Sequence, residues 1–305
     1  MTTRIAAVVP SAARPELLGR CLRGLAGNSS DLHEVVVVHS GDPATVKVLA
    51  EWDAELPLRA WVGRAIGASA RRNEGWRAAE SEIVAFTDDD CEPAPGWAAA
   101  LAAAFAEETV DVVQGRVEPH PEDEDIQGTF ARTVTVRSGE EIFVGANLAV
   151  RRTALGRVGG FDERLTGGED TDLGWRVTET AAGAQAGFAA DALVWHAVRP
   201  VQFRQHLRSL PRWSTLAEVV RRHPALRRRL AFGVFWKPEH LTATIALAAI
   251  VAAPLNRRLL ALAAPHLIRR IHGHGLYAGC ELAVSDVAEV GVMIAGSLRH
   301  GSLVL

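Results

Sequence analysis

Three short apolar runs, Ile5–Val9, Val35–Val38 and Ile83–Thr87, are separated by stretches with helical spacing, and this alternation restricts the fold more than any other feature. Runs this short, apolar at successive positions, predict strands buried on both faces. Between the first two, Leu17, Leu18, Cys21, Leu22 and Leu25 recur at helical spacing within Pro15–Leu25. Thr45–Trp52 and Ser69–Ala79 read as further helices, and Arg59–Val62 as a short extra strand. Strands and helices in turn, with short connections, predict an α/β fold built on a mostly parallel sheet flanked by helices.

The same reading continues to residue 196. Pro95 and Gly96 open an alanine-rich helix, Trp97–Glu107, followed by a strand at Val110–Val117. Glu118–Asp125, acidic and holding two prolines, reads as a surface loop. A strand is expected at Val144–Arg151, a helix from about Asp170 to Gly183, and a strand at Ala192–Trp195 closing at His196. Ligands of such sheets sit beyond the carboxyl ends of the strands. Ser11, His39 and Asp88-Asp89-Asp90 all fall at such ends.

Two acidic clusters carry the chemistry. Asp88-Asp89-Asp90 ends an apolar strand, where carboxylates can hold a hard divalent cation and leave positions open for phosphate oxygens. Three consecutive acids exceed what capping of the next helix requires. The second cluster, Glu169, Asp170 and Asp172, opens a helix just after Gly167-Gly168. A helix N-terminus keeps a carboxylate ionised, as a general base must be. The glycine pair adds what capping does not need, close approach of backbone to a ligand. His196, at a strand end, offers a neutral imidazole that could complete a metal site opened by Asp90. Asp172 fits helix stabilisation.

In this order and spacing, the motifs resemble those of the family 2 glycosyltransferases of GT-A fold, over residues 4–196. The resemblance rests on Val8-Val9-Pro10, Arg14-Pro15-Glu16, Cys21-Leu22, Arg72-Asn73-Glu74-Gly75, Phe86-Thr87-Asp88-Asp89-Asp90 and Pro95-Gly96-Trp97. Gly145-Ala146-Asn147 and the Gly-Gly-Phe-Asp and Gly-Gly-Glu-Asp blocks complete it. It implies a nucleotide-diphosphate sugar donor (UDP-, GDP- or dTDP-linked), a Mn²⁺ or Mg²⁺ ion, and inversion at the anomeric carbon. Asp88 would touch the donor's ribose or the metal, and Asp90 would ligate the metal, with His196 as an additional ligand. Asp170 would be the base and Glu169 would position the acceptor. Pro10, Ser11, Arg14, His39, Arg72, Asn73, Asp88 and Asp89 would line the donor side, and Gly167, Gly168 and Asn147 the acceptor side. One position departs from the pattern: His39 stands where the second strand usually ends in an aspartate facing the nucleobase, with Asp42 as a nearby substitute. The competing readings are a nucleotidyltransferase, which leaves the Gly-Gly-Glu-Asp block without a task, and an inactive sugar-nucleotide-binding or membrane scaffold protein.

Charge divides the chain. Residues 1–196 hold 18 Lys/Arg against 31 Asp/Glu, whereas residues 197–280 hold 14 against two. Two parts are therefore expected, a catalytic domain over 1–196 and a basic helical extension over 197–305. In the extension, Arg204, Arg208 and Arg212 recur every four residues, and Arg221-Arg222 and Arg227-Arg228-Arg229 follow. Leu241–Ala253 is mostly apolar but shorter than the roughly 20 residues a membrane span needs. Apolar segments beside arginines predict helices lying on an anionic membrane surface, and with them a lipid-linked, glycan or small-molecule acceptor. No recognised module points to nucleic acid. Three scattered cysteines favour a reducing compartment, and the apolar stretch after Met1 is too short for a secretory signal. The expected location is cytoplasmic, peripheral on the inner face of the cell membrane.

Overall fold

The computed structural model describes residues 4–64, 66–139, 142–180 and 183–305. They form two compact units. The first comprises the chain to Ile126, Arg132–Glu163 and Glu169–Arg199; the second comprises Gln127–Ala131, Arg164–Gly168 and Pro200–Leu305.

The first unit is built on one eight-stranded sheet: β1 (Ile5–Pro10), β2 (Leu32–His39), β3 (Leu58–Val62), β4 (Ile83–Thr87), β5 (Cys91–Pro93), β6 (Val110–Pro119), β7 (Asn147–Arg151) and β8 (Gln185–His196). Its order is β3-β2-β1-β4-β7-β6-β8-β5. β1 pairs in parallel with β2 and β4, and β6 with β8, while β7 runs antiparallel between β4 and β6. Its helices are α1 (Pro15–Ala26), α2 (Pro43–Trp52), α3 (Ala68–Ala78), α4 (Trp97–Ala104), α5 (Arg152–Val158) and α6 (Glu169–Thr180).

The apolar runs are continuous because both faces of the sheet are covered. Ile5, Ala7 and Val9 pack with Leu18 and Leu22 of α1, Leu49 of α2 and Trp97 of α4. Ala6 and Val8 face the other way, into a cluster with Leu155 of α5 and Leu173 and Val177 of α6. Each such side chain withdrawn from water stabilises the fold by about 1.5–3 kcal/mol.

Several segments depart from the sequence expectation: β5 and α5 were not anticipated, and β7 starts at Asn147 rather than Val144. β6 runs on through Glu118 and Pro119, which pair with Trp195 and His196 of β8, so the acidic stretch begins as strand. His120 and Asp123 within it are buried. β8 starts at Gln185, seven residues before the expected Ala192; its first half is largely exposed or half-buried, so it carries no apolar run to announce it.

The second unit is helical: α7 (Phe203–Ser209), α8 (Leu216–Arg222), α9 (Glu239–Ala252), α10 (Ala264–His274) and α11 (Leu276–His300), joined in part by 3₁₀ turns. α11 buries Ala283, Val290 and Met293 together with two carboxylates. Glu289 accepts from Lys237 at 2.6 Å and lies 3.0 Å from His240, and Asp286 accepts from Arg270 at 2.6 Å. Burial works against ionisation of both acids, yet these partners hold each below its ordinary range. Buried charge is tolerated here because it is paired. Among the described residues, no helix is long and apolar enough to cross a membrane.

Candidate active site

The loop after β1 and the end of β4 are joined by charge. Asp89 accepts from the backbone N–H of Ala12 at 3.1 Å, and Arg14 donates to both Asp89 and Asp90. Ala13, between them, has φ of 52°, a left-handed conformation that disfavours any residue with a Cβ. The bend aims Arg14 back at the aspartates. Burial pushes the Asp89 carboxyl up despite Arg14.

Antiparallel pairing of β5 with β8 sets Cys91 opposite His196. Asp90, Cys91 and His196 consequently offer ligand atoms within 4.8 Å of one another, all buried. The Nδ1 of His196 lies 2.8 Å from the Ala197 carbonyl, which can only accept, so Nδ1 carries a hydrogen and Nε2 is the ring nitrogen available to a metal. That Nε2 is 3.7 Å from Asp90 Oδ1, and Arg199 lies 3.4 Å from the other Asp90 oxygen. Burial pushes the Cys91 thiol well up, and its soft sulfur suits a hard cation poorly. The donor set is thus carboxylate oxygen plus imidazole nitrogen, which fits Mn²⁺ and, less well, Mg²⁺.

The acid at the start of α6 is held from two sides. Asp170 Oδ2 accepts from the Gly145 N–H at 2.8 Å, and Oδ1 is 3.3 Å from the Arg72 guanidinium. Arg72, from α3, also donates to Asp88 at 2.6 Å and lies 3.8 Å from Glu169. Gly145 must lack a side chain, because a Cβ there would meet Asp170 Oδ1 at 2.7 Å and Arg72 at 2.9 Å. Burial pushes Asp170 up to about 7; Arg72 opposes this and Glu169 adds to it. Asp88 goes the other way, since Arg72 outweighs its burial and holds it below the usual carboxylate range.

The remaining sequence-selected residues have the following surroundings. Asn147 is fully buried, its amide donating to the Arg116 and Ala192 carbonyls at 2.8 Å and accepting from Trp97 at 2.9 Å. Both the oxygen and the nitrogen of its side chain are thereby engaged inside the fold. Asn73 similarly fastens Phe161, accepting its N–H and donating to its carbonyl, both at 2.9 Å. Pro10 and Ser11 are buried at the end of β1. His39 is buried at the end of β2, where burial lowers its pKa and its Nδ1 accepts from Gly41. Asp42 caps α2 by accepting from Thr45 at 2.9 Å. Asp172 is buried and accepts from Arg176 at 2.7 Å, the expected helix-stabilising role.

Gly167 and Gly168 belong to the helical unit. Thr215 Oγ1 accepts from the N–H groups of Thr166 and Gly167 at 3.2 and 3.1 Å and lies 3.0 Å from the Gly167 carbonyl. A Cβ on Gly167 would meet the Arg212 carbonyl at 2.8 Å. Gly167 thus makes a close approach to the chain's own backbone. Sequence reasoning passed over Thr215, Arg199 and Cys91; only the β5–β8 pairing reveals the last.

A family model described as glycosyltransferase-like family 2 matches residues 3–215. The chain belongs to this glycosyltransferase family. It is 34% identical over 142 residues to a pre-mycofactocin glycosyltransferase of Mycobacterium tuberculosis, a match covering 43% of this chain and 30% of that protein. The chain thus matches less than a third of that relative's length. Glycosyltransferase AglE of Haloferax volcanii is 26% identical over 256 residues, 77% of this chain and 83% of that protein. Among solved structures, a Pyrobaculum calidifontis mannosyltransferase in complex with GDP-Man and Mn²⁺ superposes with a TM-score of 0.60 at 22% identity, covering 98% and 87% of the two chains. TarS of S. aureus with UDP-GlcNAc gives 0.55 at 18% identity, covering 98% and 93%. The glycosyltransferase fold is accordingly GT-A, with the two acidic clusters of this family 2 enzyme facing each other across Arg72.

Proposed function

We propose that this enzyme transfers a sugar, with inversion and with a divalent metal, from a nucleotide diphosphate to an acceptor hydroxyl. The observation that carries the reading is Asp170, a carboxyl poised near neutrality and oriented by Gly145 and Arg72. In a single displacement, Asp170 takes the acceptor proton as the hydroxyl oxygen attacks the anomeric carbon. Glu169 beside it positions the acceptor. Bond breaking runs ahead of bond making, so positive charge gathers on the sugar ring. Asp88, kept ionised by Arg72, faces the donor, and Arg14, His39 and Asp89 line the same side. Asn73 and Asn147 support the site from within the fold.

Asp90 and His196 would hold Mn²⁺ or Mg²⁺, with Asp88 nearby, and such a cation stabilises the negative charge of a departing diphosphate. The donor classes in the two neighbouring structures, GDP-Man and UDP-GlcNAc, support a nucleotide sugar here. We assign catalysis to residues 1–196 and the presentation of a lipid-linked or membrane-proximal acceptor to 197–305, with the protein peripheral on the inner face of the cell membrane. The test is turnover of a panel of UDP-, GDP- and dTDP-sugars with Mn²⁺, with Mg²⁺ and with chelator. Sugar release or transfer that needs the ion and is lost in Asp170→Asn supports the reading. Metal-independent turnover, or turnover unchanged by Asp170→Asn, overturns it.

A further inference from the structure

Most of the arginines that mark the tail in sequence are engaged within it. Arg221 and Arg222 both donate to Glu218 at 2.8 Å. Arg227 donates to the Leu303 carbonyl at 2.9 Å and to Ser302 at 3.0 Å, and Arg212 lies over the Trp213 ring at 4.6 Å. The balance differs further on. Residues 240–280 contain four arginines and no acidic residue. Arg270 pairs with Asp286, while Arg257, Arg258 and Arg269 are exposed.

The same stretch displays apolar side chains that the helical unit does not cover. The 3₁₀ turn Arg257–Ala263 buries none of its residues, although it carries Leu259, Leu260 and Leu262. Just before it, Leu255 is 89% exposed. On α9, Leu241, Ile245, Ala248 and Val251 recur at intervals of four, three and three, one exposed face of a helix. On α10, which packs against both α9 and the 3₁₀ turn, Leu267 and Ile268 are exposed as well. Leaving this much aliphatic surface in water forfeits about 25 cal/mol per Å², and patches of this kind mark an interaction surface.

We propose that this face, led by the prong Leu255–Leu262, docks on an anionic lipid surface. Leu255, Leu260 and Leu262 enter the boundary between headgroups and acyl chains, and Arg257, Arg258 and Arg269 meet lipid phosphates. Charge complementarity selects the partner: positive charge without a single acid matches a phosphate layer. The side chains argue the same way. They are almost all aliphatic, as suits acyl chains, whereas the centres of protein interfaces are enriched in Trp and Tyr. The inference deepens the membrane-facing part of the proposed function and moves its basic contacts from Arg204–Arg229 to the prong.

The test is flotation of the full chain with phosphatidylcholine vesicles, with and without phosphatidylglycerol, at low and high salt. Donor turnover without vesicles is measured in parallel, so that failure of the transferase reading is seen separately. The wild type is expected to float only with phosphatidylglycerol and to be released by salt. Arg257→Gln with Arg258→Gln should weaken partition by about tenfold or more. Leu255→Ser with Leu260→Ser and Leu262→Ser should weaken it at least as much, with circular dichroism and donor turnover unchanged. Equal flotation of wild type and variants, or none with phosphatidylglycerol, overturns the proposal. So does a dimer of the wild type that the leucine variant dissolves, which would give the face to a second copy.

Discussion

Arg72 lies 3.3 Å from Asp170, the acid assigned as base, through a guanidinium that also reaches Asp88 at 2.6 Å. One buried cation therefore stands between the acid proposed to face the donor and the acid proposed as base. The closer carboxylate is driven into its ionised form, while the farther one is left near neutrality by burial. Two chemically identical side chains acquire opposite pKa shifts, the nearer to the arginine lowered and the farther raised.

Replacing Asp170 by Asn keeps the shape and removes the proposed base. The expected result is a fall in kcat of about 10²–10⁴, with donor affinity within about threefold of wild type on the same reasoning. Steady-state kinetics with calorimetric donor binding check this; parallel loss of both would remove Asp170 from the chemistry.

The pH dependence follows from the same residue. Asp170 must lose its proton to act, so kcat/KM should rise through a pH of about 7. Stability should move oppositely. The folded pKa exceeds the unfolded value of about 4, so the contribution is full below that pH and declines as the pH rises towards about 7. Asp170→Asn should consequently melt above wild type at pH 8, by on the order of 2 kcal/mol, with the gap closing in acid. Thermal melts across pH measure it; a variant less stable at pH 8 would contradict the raised pKa.

Removing Arg72 leaves Asp88 and Asp170 without their shared counter-charge. Arg72→Met should destabilise the protein by about 3 kcal/mol, the usual consequence of breaking a buried ion pair from one side. Arg72→Lys should fold better but lose activity, because an ammonium lacks the fork that reaches two carboxylates. Chemical denaturation and turnover together test this, and full activity in the lysine variant would rule out the bridge.

Of the three residues grouped at the proposed metal site, only two should matter to the ion. His196→Ala should raise the Mn²⁺ concentration needed for half activation by about tenfold or more, whereas Cys91→Ser should change it less than about twofold, since soft sulfur suits a hard cation poorly. Manganese titrations of activity distinguish the two. Equal effects would bring the thiol into the site.

Thr215 is expected to act through Gly167. Thr215→Ala deprives two backbone N–H groups and one carbonyl of their partner, and kcat should fall by about tenfold, the equivalent of one lost hydrogen bond network contact of roughly 1–1.5 kcal/mol. Donor KM should hold and Thr215→Ser should restore the rate. A change confined to thermal stability would make the threonine merely structural.

The strands that cross the sheet's middle were legible because Val35–Val38 and Ile83–Thr87 are covered on both faces and so cannot alternate with polar residues. The acidic clusters were legible because three aspartates exceed any capping need. Arg72 was legible only as a donor-side residue. Its pairing with an acid 98 positions away is a product of packing α3 beside α6, which no local pattern encodes. Cys91 met His196 through antiparallel register, and the half-exposed start of β8 hid that register. Asn147 read only as an acceptor-side residue; that its amide ties β7 to the carbonyls of Arg116 and Ala192 is a long-range contact which no local pattern encodes.

The helical unit draws on the chain three times, at Gln127–Ala131, Arg164–Gly168 and from Pro200 onward. Recombination between relatives therefore has no clean single crossover near residue 200. A tail swapped there would meet a foreign Arg164–Gly168 loop, two residues ahead of the acid it leads into. Engineered chimeras of this chain hence need matched exchanges at all three segments.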